Sequence, residues 1–271
     1  MIEIPYEERH AFPDGDAPHS GNPAGVCRLA APLSDDDLLG LARSNNLSET
    51  AYLLAMDEPD LWSLRWFTPG CEVDLCGHAT LAAAAVLFDA GAVTGAQTRF
   101  ETASGRLTVE KGADGRLIMD FPEVAFTSAE PAPEAVAALG AEPDAAFEVE
   151  RIHGSRYQML VFGSQAQIAA LSPDFGALKR AGINVLVTAP GGGVDFVSRF
   201  FCPDAGIDED PVTGSAHCSL APYWARRLGE TKLTARQIGP RPGALSVEAD
   251  GQGRVRLIGD ARTYLTGVIR L

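Results

Sequence analysis

From Gly77 to Phe88 the chain reads GHATLAAAAVLF, a helix-like run with almost no polar face. A surface helix keeps one polar stripe; a helix that is apolar nearly all round is expected to be buried on every side. Strand-like segments lie on either side of it in the chain. SETAYLLA (48–55) and LWSLRWF (61–67) flank the turn MDEPD, and RLTVEK (106–111) and RLIMDF (116–121) flank GADG, so both pairs predict hairpins. A second helical stretch, GSAHCSLAPYWARRLG, begins at Gly214 and carries more aromatic residues. Both stretches stop at a glycine, Gly91 or Gly229, the usual C-terminal helix signal. Pro222 falls inside the second and predicts a kink or a missing hydrogen bond. PAPEAVAALGAEPDAA (131–146) reads as a solvated helix with acidic loops.

The two halves repeat one another. RWFTP starts at Arg65 and RFFCP at Arg199, 134 residues apart. Each leads through an acidic segment to a glycine and a helix. Beyond the helices, GRLTVEKGADGR (105–116) matches GALSVEADGQGR (243–254). A period of half the chain means two copies of one fold, because solenoid units are only roughly 20–50 residues long. The expected fold class is therefore α+β, with two similar lobes from an internal duplication, each a sheet wrapped around one central helix. The likeliest crossing lies in PEVAFTSAEPAP (122–133).

The chemistry concentrates where the two helices begin. A helix N-terminus presents unsatisfied N–H groups and the positive end of its dipole, and glycine there lets a ligand approach the backbone. Two such ends, at Gly77 and Gly214, are expected to face each other across a cleft and grip a small acid. His78 sits in the first turn, where the dipole makes its proton easy to lose. Asp208, Glu209 and Asp210 precede the second helix, with Thr213 and Ser215 as hydroxyl donors. In SETAYLLA, strand alternation places Glu49 on the face of Ala51, Leu53 and Ala55. An apolar face is expected to raise its pKa towards neutrality, as a residue that takes and returns a proton requires. The corresponding AGINVLVTAP of the second half has no carboxylate, which suggests one base.

Composition narrows the partners. With 271 residues, 46% hydrophobic and 21% charged, the chain can bury a sizeable core. A formal charge of −14 argues against nucleic acid and anionic membrane as general partners. The N-terminus has no signal-like apolar core and no run reaches membrane-spanning length, so a cytoplasmic location is expected. Five cysteines read as reduced thiols. Cys76 with His78, or His217 with Cys218, would be needed for a cysteine hydrolase, but adjacency makes no dyad. Zinc through Cys71, Cys76, His78 and Cys218 lacks a ligand spacing, and no metal site is expected.

GNPAGV (21–26), SETAYL, RWFTPGCEVDLCGHAT and GIDEDPVTGSAHCSLAPYW together resemble the phenazine biosynthesis-like PhzF family, over most of the chain. The resemblance implies the diaminopimelate epimerase fold, with a β-barrel-like sheet around each central helix. It implies a first lobe over 1–124, completed by a C-terminal strand over 262–271, and a second lobe over 125–261. It also implies a cofactor-independent isomerase that shifts a proton on a small carboxylate-bearing metabolite, cyclic or amino-acid-like. In that reading Glu49 transfers the proton and His78 and Asp210 assist. Asn22, Ser48, Gly77, Gly214 and Ser215 bind substrate, no cofactor is needed, and a homodimer is expected. The epimerase branch of the fold uses a cysteine at each helix start; here Cys76 fills the first place and Cys218 is displaced about one turn inward. A racemase using Cys76 and a non-catalytic binder of small acids stand as the alternatives.

Overall fold

The computed structural model describes residues 1–150 and 156–271. The chain divides into two compact units, Met1–Asp120 with Ile258–Leu271, and Phe121–Leu257.

The first unit begins with β1 (Glu3–Ala11) and β2 (Asn22–Leu29), followed by α1 (Asp35–Asn45). Then come β3 (Glu49–Ala55), β4 (Leu61–Phe67) and the short β5 (Glu72–Val73). The central helix α2 (Gly77–Asp89) precedes β6 (Gln97–Thr102), β7 (Gly105–Lys111) and β8 (Leu117–Pro122), at which the unit ends. In the second unit β9 (Phe126–Ala129), α3 (Pro133–Leu139), β10 (Ala145–Val149) and β11 (Arg156–Val161) come first. They are followed by α4 (Gln165–Ala169), α5 (Phe175–Ala181), β12 (Ile183–Pro190), β13 (Phe196–Cys202) and β14 (Ile207–Asp210). The helix α6 (Gly214–Leu228), β15 (Lys232–Gln237), β16 (Gly243–Ala249) and β17 (Arg254–Gly259) complete the series. The last strand, β18 (Ala261–Arg270), pairs antiparallel with β1 from Glu3↔Arg270 to Ala11↔Ala261.

The duplication extends to strand pairing. β1–β2 and β10–β11 are antiparallel, whereas β2–β3 and β11–β12 are parallel. β3–β4 and β12–β13 are antiparallel, and β4–β6 and β13–β15 are parallel. The expected hairpin across MDEPD is the antiparallel β3–β4 pair; that across GADG is β7–β8.

The repeated Arg-x-Phe-x-Pro motif makes the same contact twice. In β4, Phe67 lies opposite Glu72, and Arg65 gives Glu72 two hydrogen bonds of 2.7 Å while stacking over Phe67 at 5.1 Å. In β13, Phe201 lies opposite Glu209, and Arg199 gives Glu209 two bonds of 2.8 Å while stacking over Phe201 at 4.8 Å. The burial differs. Arg65 and Glu72 are 34% and 35% exposed, but Arg199 and Glu209 are 8% and 9%. Arg199 Nη1 also donates to the Ile168 and Leu171 carbonyls, so its guanidinium ties the end of α4 to the sheet.

α2 is buried from His78 to Leu87 and packs against β1, β2 and β3, as its lack of a polar face predicts. It ends in a Schellman motif: Ala92 N–H bonds the Leu87 carbonyl, Gly91 N–H bonds that of Phe88, and Gly91 takes φ +64°. α6 ends at Gly229, whose N–H bonds the Ala225 carbonyl with φ +75°. Pro222, buried within α6, has no N–H for the Cys218 carbonyl four residues back. Val124 N–H takes that carbonyl at 3.0 Å, so the helix is anchored to the segment that leads into β9.

One expectation needs correction. α3 does not lie free in solvent: Ala135, Ala138 and Leu139 are buried in the second unit's core with Leu160, Ile168 and Phe201. Small alanines spaced along one face let this short helix pack closely against α5.

Candidate active site

In the first unit the chemistry gathers at the start of α2. β2 and β3 run parallel with Ala24 beside Glu49, which brings the GNPAGV and SETAYL segments together. Gly21 makes this possible: its φ is +80° and a Cβ there would stand 2.7 Å from the Ala11 carbonyl oxygen. Gly25 is equally constrained, since a Cβ would meet Tyr6 at 3.0 Å and Thr50 Oγ1 at 3.1 Å. Asn22, first in β2, is fully buried; Ser48, just before β3, is half-buried. Glu49 opens β3 with its side chain 14% exposed. The strand is not a simple alternation: Thr50 to Leu53 are all buried and Ala55 is exposed, because both faces are covered at its centre.

Cys76 is the residue before the first turn of α2, with φ −144°, and its side chain caps nothing. Its carbonyl receives the Thr80 hydroxyl at 2.6 Å and the Thr80 N–H at 3.1 Å. His78 follows, 6% exposed at its side chain and placed between two neighbours. Its Nδ1 is 3.5 Å from Cys76 Sγ, and its Nε2 is 3.2 Å from Glu49 Oε2. Burial pushes the imidazole down to about 4, opposed only by a hydrogen bond to the Pro23 carbonyl. The ring is therefore neutral near pH 7, so its approach to Glu49 is a contact between a neutral imidazole and a carboxyl group rather than an ion pair. A neutral ring accepts at one nitrogen and donates at the other. The thiol and the carboxyl thus lie near opposite nitrogens of the one ring.

The second unit gathers its polar groups at the start of α6. Gly214 is buried, Ser215 and Asp210 are half-buried, and Asp210 closes β14. Thr213 Oγ1 donates to Asp210 Oδ2 at 2.5 Å. The Gln237 amide, fully buried on β15, holds this turn from behind. Its Oε1 accepts from Thr213 N–H at 2.9 Å, and its Nε2 donates to the Asp210 carbonyl at 2.5 Å and to Thr213 Oγ1 at 3.2 Å. The reversed amide would set donor against donor, so this orientation follows. Because Thr213 Oγ1 accepts from Gln237, its own proton goes to Asp210, which holds that carboxylate as an acceptor. His217 Nδ1 lies 2.7 Å from the Thr213 carbonyl, and burial pushes this ring, too, down to about 4. Cys218 is buried against the Gly214 carbonyl at 3.7 Å, and its thiol is pushed up to about 12.

A family model described as phenazine biosynthesis-like protein (PhzC-PhzF) matches residues 10–267. The chain belongs to the phenazine biosynthesis-like family. A Pseudomonas aeruginosa relative named as an uncharacterized isomerase is 46% identical, over 94% of this chain and 95% of its own. The human phenazine biosynthesis-like domain-containing protein is 34% identical, over 92% and 93%. Among solved structures, a PhzF family protein of Enterococcus faecalis superposes with a TM-score of 0.91 at 40% identity, over the whole of both chains. A hydroxyproline epimerase from Agrobacterium vitis, solved with trans-4-hydroxy-L-proline, gives 0.61 at 12% identity, over 99% and 93%. That likeness extends to the fold alone. The expected PhzF and epimerase-like architecture is thus the observed one.

For this PhzF family member, sequence reasoning named Glu49, His78, Asp210 and Ser215 but overlooked Gln237. No motif marks Gln237; it reads as one more polar residue at the end of a strand, and only the pairing of Ser198 with Gln237 in the sheet carries it to α6. The Pro23 carbonyl was equally invisible, being backbone. Of the zinc candidates, Cys71 is exposed and Cys218 is buried within α6. Among the described residues the donors that converge are Glu49, Cys76 and His78, with one ligand atom of each within 4.8 Å of the others. No helix among the described residues is long and apolar enough to cross a membrane.

Proposed function

We propose that this protein is an isomerase that shifts a proton on a small carboxylate-bearing metabolite, cyclic or amino-acid-like, with Glu49 as the proton-transferring group. The observation that carries this reading is the half-buried Glu49 carboxyl 3.2 Å from a buried, neutral His78, in a family whose relatives are named isomerases. Glu49 removes a C–H proton and returns it at another carbon. His78, with Nε2 beside the carboxyl, shares the mobile proton. The residues at the start of α6 hold the substrate's polar groups: amides near Gly214 and the Ser215 hydroxyl for a carboxylate, Asp210 for a hydroxyl or amine. Asn22, Ser48 and Gly77 complete the binding set. No metal or organic cofactor enters this scheme. The proposal includes a homodimer in the cytoplasm.

A second reading has one observation in its favour. Cys76 Sγ lies 3.5 Å from His78 Nδ1, as a thiol serving as acid or base in a racemase requires. Cys218 does not supply the opposite thiol, because its sulfur is turned to the Gly214 carbonyl and its proton is held by burial.

The test is a screen of cyclic and amino-acid carboxylates for deuterium uptake from D₂O, with product identified by NMR. Under the isomerase reading Glu49→Gln loses uptake while retaining substrate binding, and Cys76→Ser keeps most of it. Full activity in Glu49→Gln, with loss in Cys76→Ser, would transfer the assignment to the thiol.

A further inference from the structure

Cys76 has no part in the proton shift proposed above, yet it is held in a particular place. It stands at the N-terminus of a buried helix, with its sulfur 3.5 Å from His78 Nδ1. Beside it are a neutral imidazole and a carboxyl on a flexible side chain. Sulfur, nitrogen and oxygen together form a donor set suited to zinc-class ions.

The distances agree with that chemistry. An ion with bonds of about 2.3 Å to sulfur and 2.0–2.1 Å to nitrogen, at the tetrahedral angle, sets the two donors about 3.5 Å apart. Cys76 Sγ and His78 Nδ1 are 3.5 Å apart. Glu49 is at present near the other ring nitrogen, 3.2 Å from Nε2. One ligand atom from each of the three residues nevertheless lies within 4.8 Å of the others, and binding through Nδ1 requires the Glu49 carboxylate to turn from the Nε2 edge of the ring towards the Nδ1 edge. The helix dipole opposes the cation, so the three donors must supply the binding. A surface thiol lacks this set: Cys71 has the Thr68 hydroxyl 3.8 Å away and no imidazole in the cluster.

We infer that Glu49, Cys76 and His78 form a capture site for one thiophilic divalent cation of the zinc class. Binding exchanges the thiol proton for the metal and commits the Glu49 carboxylate as a ligand. Its consequence for activity rests on the isomerase reading: a metallated Glu49 cannot take a C–H proton, so zinc is a reversible inhibitor and Cys76 the residue that confers the sensitivity.

The binding test uses Co²⁺ alone and needs no substrate. Added to the full-length, reduced protein, Co²⁺ is expected to bind at one ion per chain and to produce a thiolate-to-cobalt charge-transfer band, which Zn²⁺ displaces. The band disappears in Cys76→Ser and persists in Cys71→Ser. Glu49→Gln, a near-isosteric change at a half-buried position, weakens the affinity at least tenfold, and His78→Gln does the same. Circular dichroism and thermal unfolding confirm that each variant is folded. Absence of the band in the wild type, its loss only in Cys71→Ser, or unchanged affinity in both Glu49→Gln and His78→Gln overturns the site. Failure of the isomerase reading leaves the cobalt result untouched, so the two are separable.

Discussion

The two copies of the Arg-x-Phe-x-Pro motif provide an internal experiment on burial. Arg65→Met and Arg199→Met remove the same fork, the same two bonds to a glutamate and the same stack on a phenylalanine. Around Arg65 water substitutes for what is lost, since its partners Glu72 and Asp35 are 35% and 76% exposed; the expected cost is about 0–1 kcal/mol. Around Arg199 it does not. Glu209 is left as a 9% exposed carboxylate, and the Ile168 and Leu171 carbonyls lose their donor. Nor can Glu209 readily move, because it fills the space beside Gly239, where a Cβ would stand 2.5 Å from Oε1. Removing one partner of a buried pair costs about 3–5 kcal/mol. The difference of about 3 kcal/mol is a factor of roughly 10² in the unfolding equilibrium. Urea unfolding followed by circular dichroism and tryptophan fluorescence measures both. The double variant Arg199→Met/Glu209→Met is expected to recover most of the loss, because a well-packed apolar pair replaces a buried ion pair at little cost. Equal destabilisation by the two single variants, or a double variant no better than Arg199→Met, would refute the argument that desolvation sets the difference.

Three further outcomes are expected. Glu49→Gln should lower turnover by roughly 10²–10⁴-fold once a substrate is in hand, with the dissociation constant for that substrate nearly unchanged; isothermal titration beside the deuterium assay separates the two quantities. Pro222→Ala restores an N–H that competes with Val124 for the Cys218 carbonyl, so a loss of about 0.5–1.5 kcal/mol and faster amide exchange at Val124 are expected; unaltered exchange at Val124 would contradict this role. His78 and His217, both pushed down to about 4 by burial, stay neutral in the fold while the unfolded chain takes up protons below its ordinary value of 6.5. Stability should therefore fall as pH drops from about 6.5 towards 4, each ring adding at most about 1.4 kcal/mol per pH unit to the slope. The pH dependence of urea midpoints in His217→Gln should be shallower than in the wild type, and an identical slope would remove His217 from the account.

Much of this protein was legible along the chain because local patterns carry local consequences. A run without a polar face has no surface position in which to be stable, so GHATLAAAAVLF could only be a buried helix. Repeated Arg-x-Phe-x-Pro and Gly-x-Leu-Ser/Thr-Val-Glu segments announced a duplicated unit, and strand pairing repeats in the same order. Gly91 and Gly229 end their helices in the left-handed conformation that glycine favours. Candidate site residues were also visible, as polar groups placed where apolar periodicity or helix capping gives no reason for them.

What pattern cannot convey is which side of a strand is covered, and by what. Glu49 and His78 are 29 residues apart, and their meeting depends on the parallel register of β2 with β3 and on α2 packing against both. Arg65 and Arg199 are equivalent in sequence but differ in worth, because only Arg199 has the end of α4 over it. Gln237 gains its role from a strand neighbour nearly forty residues earlier, and Pro222 from an N–H nearly a hundred residues away. The charge state of His78 belongs to this second class. The dipole at its helix start pointed in the right direction, but the main cause is complete burial, a property of the surrounding strands. Local sequence determined the elements and their duplication, because conformational preference and amphipathicity act over one or two turns. Tertiary structure decided burial, partners and protonation, because desolvation depends on atoms brought together from distant parts of the chain.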